Sequence, residues 1–251
     1  MTALAGKTAV VLGASGEANF GTAIAGRLAQ EGAHVVVAAR REAPLRALAE
    51  AIGGVAVACD ATDESQLANL FEVATAHSGR VDVAVYTAGV HAACPIAELT
   101  AEQVRPTLEV SFVGALLFFK HAAASMADGG SVITVSSLTA RLPGEGLSVY
   151  AGARAGIDYA IRVAAHEYRD QKVRFNSIAA GLIQTDMTAG FFAVPPIIDA
   201  HIRETPAGRM GTLDDIAEAA LFLADESRSG YINAQLLDLA GGQQTGHLPR
   251  F

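Results

Sequence analysis

Three residues are spaced as a proton-transfer centre would require. Ser137 follows the apolar run Ser131-Val-Ile-Thr-Val-Ser136, Tyr150 comes thirteen residues later, and Arg154 lies four beyond Tyr150. On a helix, positions i and i+4 share a face, so Arg154 would lie beside the phenol and its permanent charge would favour the ionised form. A phenol so placed gives or takes a proton, while the Ser137 hydroxyl holds a substrate oxygen by hydrogen bonding. The same Tyr and Arg spacing also fits an ordinary surface pair.

A second cluster suits a nucleotide. The segment Gly13-Ala-Ser15-Gly-Glu-Ala-Asn19-Phe20-Gly21 joins an apolar run to a helical pattern. Glycines there would let backbone N–H groups and a helix N-terminus face a pyrophosphate, although such a turn serves close packing equally well. The next apolar run ends in Arg40-Arg41. An acid near this point accepts from a ribose 2′-hydroxyl, whereas arginine suits a 2′-phosphate, so NADP(H) is favoured over NAD(H). A solvated arginine pair opening a helix has the same sequence.

The elements that must position these groups alternate along the chain. Short apolar runs at 7–12, 34–39, 55–59, 81–86, 131–136, 173–178 and 235–239 read as buried parallel strands. Between them the spacing predicts helices: one with Ile24 and Leu28 on its apolar stripe, others over 43–52, 63–77, about 100–127 and 213–224, and one carrying Tyr150. This is an α/β pattern of the Rossmann type, a doubly wound parallel sheet with helices on both faces. No linker or repeat divides it, so residues 1–251 form one domain. Residues 187–211, with Phe191, Phe192, Pro195 and Pro196, break the rhythm and read as a lid over the ligand crevice, its phenylalanines suiting an apolar substrate.

Composition narrows the partners. The formal charge of −8 disfavours nucleic acid and anionic lipid, leaving a small molecule. No apolar run reaches the ~18 residues of a membrane span and no signal segment opens the chain, which points to the cytoplasm. Cys59 and Cys94 lack metal or redox spacing and read as buried thiols; no metal is expected.

At Ser137, Tyr150 and Arg154 the chain resembles the short-chain dehydrogenase/reductase family, over almost its whole length. Cys59-Asp60-Ala61 resembles the segment whose Asp approaches adenine, Thr87-Ala88-Gly89 the family's Asn-Ala-Gly, and Asn176 to Thr185 the segment that meets the nicotinamide carboxamide through Ile183 and Thr185. The resemblance implies hydride transfer between a nicotinamide and a carbonyl or secondary alcohol, in a homo-tetramer or homo-dimer. There are departures. Arg154 replaces the family's lysine, Ser111 the catalytic asparagine, Ala180 a proline and Ala240 an aspartate. Asn19 stands at the middle glycine of a loop two residues longer than usual, as the non-glycine residue best suited to a left-handed backbone. Ser-Tyr-Arg is also the signature of the halohydrin dehalogenases, related enzymes that form epoxides without a nicotinamide. The retained glycine loop, Asp60 and Thr185 favour the oxidoreductase over that lyase and over a catalytically weak nucleotide-binding homologue.

Overall fold

The computed structural model describes residues 2–246. All five side chains of β1 (Thr8–Leu12) are buried, as in a strand covered on both faces. With β2 (His34–Ala39), β3 (Val55–Ala58), β4 (Val83–Tyr86), β5 (Gly130–Ser137), β6 (Val173–Ala180) and β7 (Leu236–Leu239) it forms a sheet in the order β3-β2-β1-β4-β5-β6-β7. Every neighbouring pair is parallel.

Side chains alternate across each strand and so feed two cores. Val11, Val35 and Ile133 meet α1 (Phe20–Gln30), α2 (Glu42–Ile52) and α9 (Leu213–Ala224) through Ile24, Leu28, Leu45 and Ile216. On the other face Val10, Leu12, Tyr86 and Phe175 meet α3 (Glu64–Ser78), α5 (Gly114–Ala124) and α6 (Ser148–Glu167) through Leu70, Phe118 and Ile157. Each such Leu, Ile or Phe contributes roughly 1.5–3 kcal/mol by leaving water. The strand order reverses between β1 and β4, which opens a crevice at their carboxyl ends.

Two stretches depart from the periodicity reading. The long helical region expected over about 100–127 is helical throughout but divided into α4 (Ala101–Leu108), a π-turn (Glu109–Val113) and α5, ending at Ala124. Two groups accompany the change. Pro106 lacks an N–H, and the buried Tyr86 hydroxyl donates to the Val110 carbonyl at 2.5 Å. Ala101–Ala124 has the length and mean hydropathy of a membrane span, yet its Ala115, Phe118, Phe119 and Ala122 are buried in the core. Residues 187–211 contain two helices, α7 (Ala189–Phe192) and α8 (Pro195–Glu204), beside the carboxyl edge of the sheet. Cys59 is buried, and burial pushes its thiol up to about 12, with Asp60 and Asp63 adding to the effect. Cys94 corrects the expectation of two buried thiols: it is only half-buried, in the segment that follows β4.

Candidate active site

The glycine loop connects β1 to α1 at the strand-order reversal. Gly13 has φ +105°, and a Cβ there would stand 2.8 Å from Ala88 N while overlapping Thr87 Oγ1. A Cβ on Gly21 would stand 2.7 Å from the Gly13 carbonyl, so α1 starts directly against the strand end. Both glycines are therefore needed for packing. Asn19 corrects the left-handed expectation: its φ is −141°, and it caps α1 by accepting from Thr22 N at 2.8 Å. The two extra loop residues are tied down, because Asp186 N donates to Ala18 O at 2.8 Å and Ala18 N to Asp186 Oδ1 at 3.3 Å.

A crevice of about 560 Å3 opens here, lined by Gly13, Ser15, Asn19, Phe20, Arg40, Asp60, Ala61, Ala88, Gly89 and Thr185. Its donors fit a dinucleotide. The Phe20 amide, at the start of α1 and in the crevice wall, has no partner among the described residues, and a helix N-terminus with a free N–H group suits a pyrophosphate. Asp60 Oδ1 accepts from Thr62 N at 2.9 Å, and Oδ2 has no partner among the described residues. Of the two arginines, Arg41 grips the loop: its Nη2 donates to Ser15 O at 2.8 Å and its Nε to Ser15 Oγ at 3.3 Å. Arg40 also lines the crevice and is exposed.

A second cavity, about 440 Å3, adjoins the first, and Phe20, Thr185 and Met187 line both. Ser137 and Tyr150 share its wall with Leu138, Leu142, Leu147, Leu182, Ile183 and Phe191. Tyr150 is the third residue of α6, and Ser137 is the last of β5. Thr139 donates to Ser137 Oγ twice, from N at 3.2 Å and from Oγ1 at 2.9 Å, which leaves the serine's own proton to be given elsewhere. Arg154 is buried, with Cζ 5.2 Å from the Tyr150 ring centroid. Its Nη1 donates to Val135 O at 2.9 Å and its Nη2 to Ala88 O at 3.5 Å, while Nε is unpartnered. The guanidinium thus bridges the carboxyl ends of β4 and β5 beside the phenol.

Ser111 and Gly21 reach neither cavity, and Ile183, in the wall of the second, has its carbonyl engaged. Ser111 is fully buried and its hydroxyl accepts from Val90 N at 3.4 Å, behind Gly89. The Ile183 carbonyl accepts the Thr188 hydroxyl at 2.6 Å, and Ile183 bridges to Gly211. Sequence reasoning passed over three neighbours: Thr139, His91, whose ring meets Tyr150 edge-on at 5.2 Å, and Asp158, one turn beyond Arg154 on α6. A scattered histidine and a helical aspartate carry no spacing signal of their own.

Residues 13–244 match the family model described as enoyl-(acyl carrier protein) reductase. An uncharacterized oxidoreductase of Methylorubrum extorquens is 36% identical, the match covering 96% of this chain and 99% of the relative. A cis-4-hydroxycyclohexanecarboxylate dehydrogenase of Sinomonas cyclohexanicum is 34% identical over 96% of this chain and 97% of its own. The solved structure of a short-chain type dehydrogenase/reductase from Mycobacterium ulcerans superposes with a TM-score of 0.92 at 28% identity, covering 99% of this chain and 93% of that one.

Proposed function

The chain belongs to the short-chain dehydrogenase/reductase family, and we propose that it interconverts a carbonyl and a secondary alcohol with NADP(H), using Ser137, Tyr150 and Arg154. The observation that carries this reading is the shared wall of Phe20, Thr185 and Met187, which joins a nucleotide-sized crevice to an apolar cavity containing both hydroxyls. When bound, the nicotinamide supplies or accepts the hydride.

In the reducing direction Ser137 donates its free proton to the substrate oxygen, and Tyr150 transfers its phenolic proton to the same oxygen as negative charge develops there. Arg154 then faces a phenolate, and its buried cation stabilises that charge more strongly than water would. The apolar wall keeps water from the reacting oxygen and suits a substrate with an apolar body, and residues 187–211 act as its lid. NADP(H) is favoured because Arg41, braced on Ser15, and the exposed Arg40 offer two cations at the crevice, with no acid at the end of β2 to pair a ribose hydroxyl. The intact crevice favours hydride transfer over cofactor-free halide displacement.

Thermal stabilisation by NADPH exceeding that by NADH, together with turnover of an apolar ketone, is the expected result. Tyr150→Phe should lower kcat by about 10²–10⁴ fold while NADPH affinity stays nearly unchanged. Halide release from a halohydrin without nucleotide would overturn the assignment.

A further inference from the structure

The face of α6 that carries Tyr150 and Arg154 continues to Asp158, a carboxylate that the chemistry above leaves unused. It is 8% exposed and clamped from two strands. Ser136 Oγ on β5 donates to Oδ2 at 2.8 Å, and Ser177 Oγ on β6 donates to Oδ1 at 2.7 Å. Ser136 also lines the substrate cavity and precedes Ser137 directly. Thr134, paired with Ser177 in the sheet, puts a further hydroxyl on the same face, buried and without a partner.

Into this layer Arg154 brings a full positive charge whose hydrogen bonds go to neutral carbonyls. A buried charge without a counter-charge is costly. Asp158, one turn away, is the nearer of the two acids on α6. Arg141, in the segment after β5, is the other cation acting on Asp158, and it is itself paired with Asp238 on β7. Burial pushes the Asp158 carboxyl up, while the hydroxyls of Ser177 and Ser136 and the charges of Arg154 and Arg141 act the other way.

We propose that Asp158 is a positioning residue of the active centre: its charge sets how much of the Arg154 field reaches Tyr150, and its two serine bonds fix α6 against β5 and β6. The inference rests on Tyr150 as the proton-transfer group. Ionised Asp158 opposes the guanidinium and disfavours the phenolate; a neutral side chain there leaves the guanidinium unopposed. Eight helical residues separate Asp158 from Tyr150 by roughly 12 Å. At an effective dielectric constant of about 20, a unit charge at that distance shifts an ionisation by about half to one pH unit.

The test is an ultraviolet titration of tyrosinate in the wild type and in Asp158→Asn, each read against the same protein carrying Tyr150→Phe so that the other tyrosines cancel. The Tyr150 signal should appear about half to one pH unit lower in Asp158→Asn, and the matching limb of the kcat/KM profile should move with it. Ser177→Ala keeps the carboxylate and removes one of its hydrogen bonds, favouring the protonated acid; it should shift the signal the same way by less. A lowered Tm with an unmoved titration in both variants, or a shift to higher pH, overturns the proposal. If Tyr150→Phe keeps full turnover, the functional reading fails while the titration still decides the role of Asp158.

Discussion

A Cβ added to Gly89 would overlap Arg154 Nη2 and stand 3.1 Å from its Cζ. The tip of an arginine ordinarily swings aside at little cost, but this one is buried and bonded to Val135 O. Moving it strips a charge-assisted hydrogen bond from a buried guanidinium. Gly89→Ala should therefore lose about 1.5–3 kcal/mol in urea unfolding and most of its turnover. Lysine lacks the wide guanidinium fork, so in an Arg154→Lys background the same glycine change should cost less than half as much. Equal costs in the two backgrounds would mean that the methyl displaces something else. Helical spacing put Arg154 beside Tyr150, and the resemblance to the family's Ser-Tyr-cation pattern singled out Ser137 with them; the structure brings the three together. Asp158 was not legible in the sequence, since only the register of β5 against β6 brings Ser136 and Ser177 to it.

The π-turn between α4 and α5 is where the helix ladder gives way to a contact from the sheet. Tyr86 on β4 is wholly buried, and its hydroxyl takes the Val110 carbonyl that a regular helix would use internally. Removing that hydroxyl takes a partner from the half-buried Val110 carbonyl. Tyr86→Phe should cost about 0.5–1.5 kcal/mol by chemical denaturation and loosen the adjoining Ser111–Val90 contact, seen as faster hydrogen exchange at Val90 N. A variant as stable as the wild type would show that the turn is held by its own backbone. Strands were read from apolar runs because a sheet covered on both faces admits little else at those positions. The π-turn was not, because Glu-Val-Ser-Phe-Val continues the helical pattern and the hydroxyl that interrupts it lies 24 residues earlier. Asn19 was misjudged for a related reason: asparagine suits both a left-handed turn and a helix cap, and the start of α1 decides between them.

Across the molecule the two ends of the sheet do different work. The carboxyl end holds the crevice, the cavity and the polar layer around Arg154. At the amino end Asp82 accepts from Thr8 N at 2.9 Å and pairs with Lys7 and Arg80, and His34 at the start of β2 stacks on His77 of α3 with ring centroids 3.6 Å apart. Burial first, and the neighbouring His77 second, hold the His34 imidazole below its ordinary value of 6.5. The native state then binds its proton later than the unfolded chain does as pH falls. The contribution of the neutral His34 ring is fully present above 6.5 and is lost as pH drops from there toward the depressed native value. Tm should accordingly fall as pH is lowered from 7.5 through 6, and His34→Gln should flatten that slope while leaving the kcat of the distant carboxyl end unchanged. A pH slope identical in the variant would place the acid sensitivity elsewhere, whereas a fall in kcat would show that the two ends of the sheet are coupled.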